Sequence, residues 1–340
     1  KSTIARLLVP KTPHGAYSGL RLSKQDGIAM KNHRILPEGY GPLPLSPLPL
    51  SVVQELIETE EVAEALAVRC DTGHNLHVRF RGYEGIIPRA EAVSPLVSGA
   101  DREIAVLSRV GHCVQFIITS IAITGGGKPV LILSRRKAQE RALQFLLENC
   151  PPGTVVRGKI THLERFGAFV DIGGGVVGLL PLDHISVARI THPSQRFVTG
   201  QNILCAISEV DMAEKRFTLT HKELLGTWLE NASLFAPGET VTGRVRGIKD
   251  YGMFVELTPN LSGLADCCEG IQENDPVTVF IKSIRPEQMK IKLQILQKME
   301  GPLPPEPLNY YITDGCLQAW HYAPPGCAKP YPPTFFTPSP

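Results

Sequence analysis

Several features that mark common protein classes are missing or scarce in this 340-residue sequence. No apolar run reaches the roughly 18 residues that a membrane-spanning helix needs. No basic stretch followed by an apolar run and small residues, as in a signal peptide, is found near the first residue. The eight cysteines include no C-x-x-C pair, which argues against a zinc ribbon and a disulfide framework. These absences predict a cytoplasmic protein with reduced thiols and no membrane partner.

Charge imbalance and aromatic content are also low. The chain carries 35 Lys and Arg against 33 Asp and Glu, a net charge of +2, and only 6% of its residues are aromatic. A strongly basic balance is typical of proteins that bind the double helix, so charge alone would not explain nucleic-acid binding here. Glycine and proline are abundant, at 31 and 29 residues, which indicates small, turn-rich β units.

Motifs for catalysis and metal binding are weak. The run Gly125-Gly-Gly-Lys128 resembles a phosphate loop, but the earlier glycine is missing and Pro129 stands where Ser or Thr is needed, so a hairpin turn is favoured. Cys316, His321 and Cys327 supply only three groups at irregular spacing for a metal ion. The sequence therefore predicts no enzyme activity, no metal or other cofactor and no small-molecule substrate.

Alternation of apolar and polar side chains with period two occurs in three successive segments. In the second and clearest segment, Gly153 to Ile172 is followed by a glycine turn and by Val176 to Pro181. The third segment repeats this pattern with Tyr251 in the place of Phe166, and a degenerate first segment aligns by its turns. Helix-compatible stretches separate the segments, so three small barrels joined by short helices are predicted.

Both ends have the composition of extended, disordered chain. Residues 1–50 are basic and end in a run of alternating prolines, and residues 298–340 are again rich in proline. The predicted organisation is a basic Pro-rich disordered arm at 1–50, a short helix at 51–65, a degenerate first barrel at 66–138, a helical linker at 139–151, a second barrel at 152–222, a helical linker at 223–234, a third barrel at 235–297 and a Pro-rich disordered tail at 298–340.

Aromatic side chains fall on the outer face of two strands. Because alternate side chains of a strand point to opposite faces, Phe169 shares the outer face with Asp171, and Phe254 shares it with Glu256. Exposed rings at the same place in two repeats are typical of a platform on which unpaired bases stack. Packing of the rings under a loop or against a neighbouring barrel is the structural alternative.

Cations flank the same strands in both repeats. These are Arg157, Lys159, Arg165, Arg244, Arg246 and Lys249. They could meet phosphates electrostatically. A solvated charged edge that deters association between sheets is the equally weighted alternative for any one of them.

The second segment resembles a known family. Its strings Gly-x-Val-x-x-Gly-x-Ile, Phe-Gly-Ala-Phe-Val-Asp-Ile-Gly and Gly-Leu-Leu-Pro, followed by Val210 to Leu219, are similar to the RNA-binding domain named after ribosomal protein S1. With its two weaker copies the resemblance covers residues 66–297, and residues 186–197 resemble the shorter Gram-positive forms of that protein. The resemblance implies a mainly β fold of tandem five-stranded OB-type barrels that bind single-stranded RNA.

The resemblance also implies site residues. Paired rings, an acidic position and a basic position are carried over in the second segment, while the family often has a His where this sequence has Pro181. In the first segment histidines replace the rings, so weak binding or a spacer role is expected there. With the flanking cations, the expected RNA-binding residues are Phe166, Phe169, Asp211, Arg216, Lys159, Arg165, Tyr251, Phe254, Lys290, Arg246, Lys249, His74 and His77.

Three functions are compatible with these patterns. The first is binding of messenger RNA in translation as an S1-like factor, with the small ribosomal subunit as a further partner. The second is an RNA-binding accessory portion of an RNA-processing enzyme, such as a polynucleotide phosphorylase-like assembly. The third is a protein-interaction module on the ribosome, in which protein covers the outward rings and RNA binding is negligible.

Overall fold

The computed structural model describes residues 35–96, 103–123, 125–301, 308–328 and 331–337. These residues form three closed five-stranded barrels and one two-stranded sheet, with few helices. The predicted mainly β fold of tandem OB-type barrels is therefore confirmed. The prediction of a disordered arm over residues 1–34 lies outside the described residues. No helix in the described part of the chain is long and apolar enough to cross a membrane.

Barrel 1 follows helix α1 (Leu50–Glu58) and closes in the order β1-β2-β3-β5-β4. Its elements are β1 (Val62–Cys70), β2 (Leu76–Phe80), β3 (Tyr83–Ile87), α2 (Glu103–Leu107), β4 (Cys113–Ile123) and β5 (Pro129–Ser134). Only β3 and β5 pair in parallel. The helix predicted at 51–65 ends at Glu58, because the chain from Val62 onward alternates buried and exposed side chains as the first strand of the barrel.

Barrel 2 follows helix α3 (Arg135–Asn149), whose Ser134 side chain caps the first turn by accepting from the Lys137 N–H. Its strands are β6 (Val155–Glu164), β7 (Gly167–Gly173), β8 (Val176–Pro181), β9 (Asn202–Asp211) and β10 (Arg216–Thr220). They close in the order β10-β8-β7-β6-β9. Leu143 and Leu146 of α3 pack into the core of this barrel.

Barrel 3 repeats the topology of barrel 2 after a short helix, α4 (Trp228–Ala232). Its strands are β11 (Thr240–Lys249), β12 (Gly252–Thr258), β13 (Leu261–Ala265), β14 (Pro276–Arg285) and β15 (Lys290–Lys298), in the order β11-β12-β13-β15-β14. A final pair, β16 (Ala319–Trp320) and β17 (Thr334–Phe335), lies near the end of the described chain. Short 3-10 turns occur at Arg89–Glu91, Leu182–His184, Pro193–Gln195, Lys222–Leu225 and Pro286–Gln288.

Residues 35–40, here called the strap, are ordered by contacts with barrels 1 and 2. The Glu38 N–H donates to Asp171 Oδ2 at 2.8 Å, and the Glu38 carboxylate accepts two hydrogen bonds from Arg135, each at 2.7 Å. The Gly39 N–H donates to Glu64 at 2.6 Å. The prediction of a disordered arm was therefore wrong for this part of residues 1–50, because buried ion pairs and hydrogen bonds from distant strands fix it.

The described residues 308–328 and 331–337, here called the tail, are packed, so the prediction of a disordered carboxyl-terminal segment was wrong for them. The Leu317 N–H donates to the Gly153 carbonyl at 2.9 Å. Trp320 and Tyr322 lie in the core of barrel 3, and Phe336 is buried. A proline-rich chain cannot form a helix. Here, however, N–H groups of the non-proline residues donate to other segments, and the aromatic side chains are buried away from water.

Candidate nucleic-acid interface

A turn after β6 presents two perpendicular rings on barrel 2. Phe166 lies in the turn and is 58% exposed, and Phe169 follows on the outer face of β7. Their ring centroids are 6.0 Å apart at an interplanar angle of 90°. Glycine is required between them, because a Cβ on Gly167 would lie 2.4 Å from the Leu180 carbonyl oxygen. The turn thus holds one ring edge-on to the other and leaves a flat, accessible aromatic surface.

Barrel 3 presents the same arrangement. Tyr251 is 69% exposed and Phe254 is 36% exposed, with centroids 6.2 Å apart at 89°. A Cβ on Gly252 would again lie too close to a carbonyl, 2.6 Å from that of Ala265. The ring pairs of barrels 2 and 3 therefore have the same geometry although one contains a tyrosine. This indicates that the barrel fold positions the two rings.

A row of outward side chains continues from the rings across each barrel. In barrel 2, Phe169 pairs in register with Leu179 of β8, which pairs with Thr218 of β10. Arg216 lies two residues before Thr218 and so projects from the same face of β10. We call Phe166, Phe169, Leu179, Thr218 and Arg216 the aromatic face of barrel 2.

The row in barrel 3 repeats the aromatic and leucine positions but has two lysines on its last strand. Phe254 pairs with Leu264, and Leu264 pairs with Lys292. Lys290 precedes Lys292 by two residues, and both lysines are exposed. We call Tyr251, Phe254, Leu264, Lys292 and Lys290 the aromatic face of barrel 3. Each face therefore joins a stacking surface to at least one cation that can meet phosphate.

Several predicted site residues lie at the edges of these faces. Asp211 is exposed and its carboxylate accepts from the Ala213 and Glu214 N–H groups at 3.0 and 2.9 Å, so it shapes the turn that leads to Arg216. Arg165 and Lys249 are exposed beside the turns that carry the first ring of each pair. The positive charges of Arg165 and Lys249 are therefore accessible to a bound strand.

Two predicted cations have protein partners instead. The Lys159 ammonium donates to the Glu38 and Gly39 carbonyls at 3.2 and 2.8 Å, which ties it to the strap. The Arg246 guanidinium is buried and donates to Glu256 at 2.6 Å. Because their donors are used inside the protein, neither residue belongs to the interface that we propose.

Barrel 1 lacks the ring pair. His77 stands in the register position of Phe169, beyond the bulge between the first two strands, and His74 precedes it by three residues. His77 is held in place by Asp71, 3.0 Å from its Nε2, and by Arg69, 3.2 Å from its Nδ1. The outward row continues through isoleucine side chains, Ile86 and Ile132. The residue two before Ile132, which corresponds to Arg216, is the buried Val130. This face offers neither a free ring nor a cation on β5.

Sequence reasoning missed four members of the faces. Leu179, Thr218, Leu264 and Lys292 have no motif of their own. They join the rings only through the pairing of β8 with β10 and of β13 with β15. Strand parity combined with that parallel pairing would have found them. His162 was also missed; its ring centroid lies 6.4 Å from that of Phe169.

Two buried titratable side chains in or beside barrel 2 have strongly shifted pKa values. Burial lowers the pKa of His221 to about 4, and burial together with Glu38 raises the pKa of Asp171 to about 7. Both side chains are buried and hydrogen-bonded within the protein. Among the residues that the structure describes, no group of three or more His, Cys, Asp or Glu side chains is placed to hold a metal ion.

The fold and the faces define a class of protein: tandem closed β-barrels of OB type with paired exposed rings. Comparison with known families then identifies the central barrel, because residues 150–222 match the S1 RNA binding domain family. The match covers barrel 2, so the similarity to this family is shown for that barrel. Barrel 3 repeats the strand order and ring geometry of that domain.

Similar proteins are components of the small ribosomal subunit. The chain is 34% identical over 188 residues to the protein bS1 of Leuconostoc lactis, covering 51% of this chain and 44% of that protein. It is 28% identical over 259 residues to bS1 of Streptococcus pneumoniae, covering 72% and 62%. It is 30% identical over 188 residues to the bS1 homolog of Bacillus subtilis, covering 51% and 49%. The matched segments span about half the length of these relatives.

Proposed function

We propose that this protein binds single-stranded RNA through the aromatic faces of barrels 2 and 3 and does so in translation, as a cytoplasmic S1-like factor for messenger RNA. The single observation that carries the proposal is the repeated perpendicular ring pair, Phe166 with Phe169 and Tyr251 with Phe254. A flat, exposed ring can stack on any unpaired base, and each stacked base contributes about 1–3 kcal/mol.

The surroundings of the rings favour a single strand over a duplex. Bases in a duplex are stacked on one another and unavailable to a ring on the protein surface, whereas unpaired bases can be splayed out. The basic residues on the faces are few, as expected if phosphate attraction assists stacking rather than replacing it. Two faces of modest affinity on one chain would bind a long RNA more tightly than either alone, because binding at one face raises the effective concentration of the RNA at the other.

The place of this activity in translation is supported by the relatives, whose names are those of small ribosomal subunit proteins. The small ribosomal subunit is accordingly the protein partner that we propose, with messenger RNA as the nucleic acid. Binding of RNA and docking on the subunit would together tether a message without any catalytic step.

Fluorescence anisotropy of the full chain tests the proposal. Labelled pyrimidine-rich single-stranded RNA is titrated beside a duplex of equal length, each over a series of salt concentrations. We expect preference for the single strand and a shallow salt dependence. Equal binding to the duplex, or no binding to either, would contradict RNA recognition by stacking and favour the protein-interaction function.

A further inference from the structure

An ion pair joins barrel 2 to barrel 3 beside the second aromatic face. Arg196 belongs to the segment between β8 and β9 of barrel 2, and its guanidinium donates to both carboxylate oxygens of Glu256 on β12, at 2.7 and 2.6 Å. Glu256 lies two residues after Phe254 and therefore on the same face of the strand. The contact borders the surface on which RNA would stack.

The pair is buried and has further hydrogen-bonded neighbours. The side chains of Arg196 and Glu256 are 7% and 9% exposed. Arg246 donates to the same carboxylate at 2.6 Å, and Gln195 donates to Asn274, which also accepts from Arg246. Although burial opposes it, the two guanidinium groups lower the pKa of Glu256, so the carboxylate remains charged.

Barrel 2 has a corresponding contact at the same strand position. Asp171 lies two residues after Phe169, on the outer face of β7, and accepts a hydrogen bond from the strap, which lies before barrel 1 in the chain. In barrel 1 the equivalent residue is the exposed Arg79, two residues after His77. In barrels 2 and 3, but not in barrel 1, an acidic side chain beside the rings thus binds a segment from outside its own barrel.

We infer that Arg196 and Glu256 form a positioning contact that fixes the aromatic face of barrel 3 relative to barrel 2, so that one RNA strand binds both faces. The inference rests on the proposed function. A fixed relative position raises the effective concentration of the second face once the first is occupied, and it removes the cost of ordering two loosely connected barrels on binding. Arg196 acts through Glu256 and not by touching RNA.

The test compares a short RNA that fills one face with a long RNA that reaches both. One OB-type barrel covers about 4–16 nucleotides, so oligonucleotides of about 6 and about 30 nucleotides separate the two cases. The variant is Arg196→Met, because Glu256 keeps Arg246 as its partner and no carboxylate is left buried alone. Arg189→Met is the matched control, since it removes an exposed arginine from the same segment.

We expect Arg196→Met to weaken binding of the long RNA by about tenfold and to leave binding of the short RNA unchanged. Arg196→Lys should fall between, because an ammonium keeps the charge without the two-pronged geometry. Thermal unfolding of each variant identifies a folding defect. If Arg196→Met does not fold, Gln195→Ala replaces it, because this variant removes the hydrogen bond to Asn274 and leaves the ion pair intact, so it loosens the contact between the barrels more mildly.

Each result decides between explanations. Equal loss for both RNAs would mean that Arg196 acts on a single face, and no loss for either would mean that the contact does not position the barrels; both overturn the inference. A loss of the same size in Arg189→Met would assign the effect to charge alone and also overturn it. Failure of the unmodified chain to bind the short RNA would instead contradict the proposed function itself.

Discussion

The Tyr310 hydroxyl lies 3.1 Å from Nε2 of His221 and joins the tail to barrel 2 across 89 residues of sequence. The other ring nitrogen of His221 donates to the Ile185 carbonyl at 2.8 Å, and the same tyrosine oxygen accepts from the Leu204 N–H. Every polar atom of this buried contact is therefore paired when the imidazole is neutral. A proton added to Nε2 would remove the acceptor for the tyrosine hydroxyl.

Stability should fall in acid because of this histidine. Burial lowers the pKa of His221 to about 4 in the folded protein, below the 6.5 of an exposed imidazole. Its contribution is therefore fully present above pH 6.5 and is lost as the pH falls through about 4. Urea unfolding at pH 7, 5 and 4 should show a loss of about 3 kcal/mol that His221→Gln lacks. Parallel pH curves for the two proteins would rule out this role.

The tail should contribute to the stability of barrel 3. Trp320 is 4% exposed and packs with Tyr322 and Tyr331. Trp320→Ala should cost about 3–5 kcal/mol in the free energy of unfolding, because it leaves a cavity in the core of the barrel. Urea unfolding measures the cost, with Phe335→Ala as the control at an exposed ring of the same tail. A cost below about 0.5 kcal/mol for Trp320→Ala would contradict a packed tail.

Barrel 1 should add little to RNA affinity. His77 is engaged by Asp71 and its face carries no ring pair. His77→Ala should therefore change the affinity for single-stranded RNA by less than about twofold, whereas loss of a stacking ring costs about 1–3 kcal/mol for each base. Anisotropy titrations of the full chain measure both effects. A tenfold loss in His77→Ala would show that barrel 1 binds RNA with a different geometry.

The basic residues of the faces should set the salt dependence. Arg216 and Lys290 occupy equivalent positions on the last strands of barrels 2 and 3, and both are exposed. Removing one phosphate contact lowers the salt slope for a single strand by about 0.7. Arg216→Met should produce that change while retaining the preference for single-stranded over duplex RNA. An unchanged slope would place Arg216 outside the phosphate path.

The barrels and their rings could be predicted from sequence because both depend on local patterns. Period-two alternation, the glycine turns and the place of Phe169 on the outer parity all act within a single repeat, and the structure keeps them. Asp171 shares that parity and is nevertheless buried, because the strap reaches it from 133 residues away. Contacts of this kind have no local signature.

The tail illustrates the opposite difficulty. Its prolines predict disorder, but the segment also carries Trp320, one of the two tryptophans of the chain, and several other rings. A high density of large apolar side chains indicates burial, and a prediction based on proline content does not take this into account. The tail is ordered because it packs against the folded barrels. Its order can therefore be predicted only when the tertiary structure is known.

The ring pairs are the most direct test of RNA recognition. Phe166→Ala with Phe169→Ala, and Tyr251→Ala with Phe254→Ala, are compared by anisotropy with Phe335→Ala, which removes a comparably exposed ring outside both faces. Each double substitution should weaken binding of single-stranded RNA by about 10- to 100-fold with little loss of stability, and the control should bind as the unmodified chain does. Full affinity in both double variants would contradict the claim that these rings bind RNA.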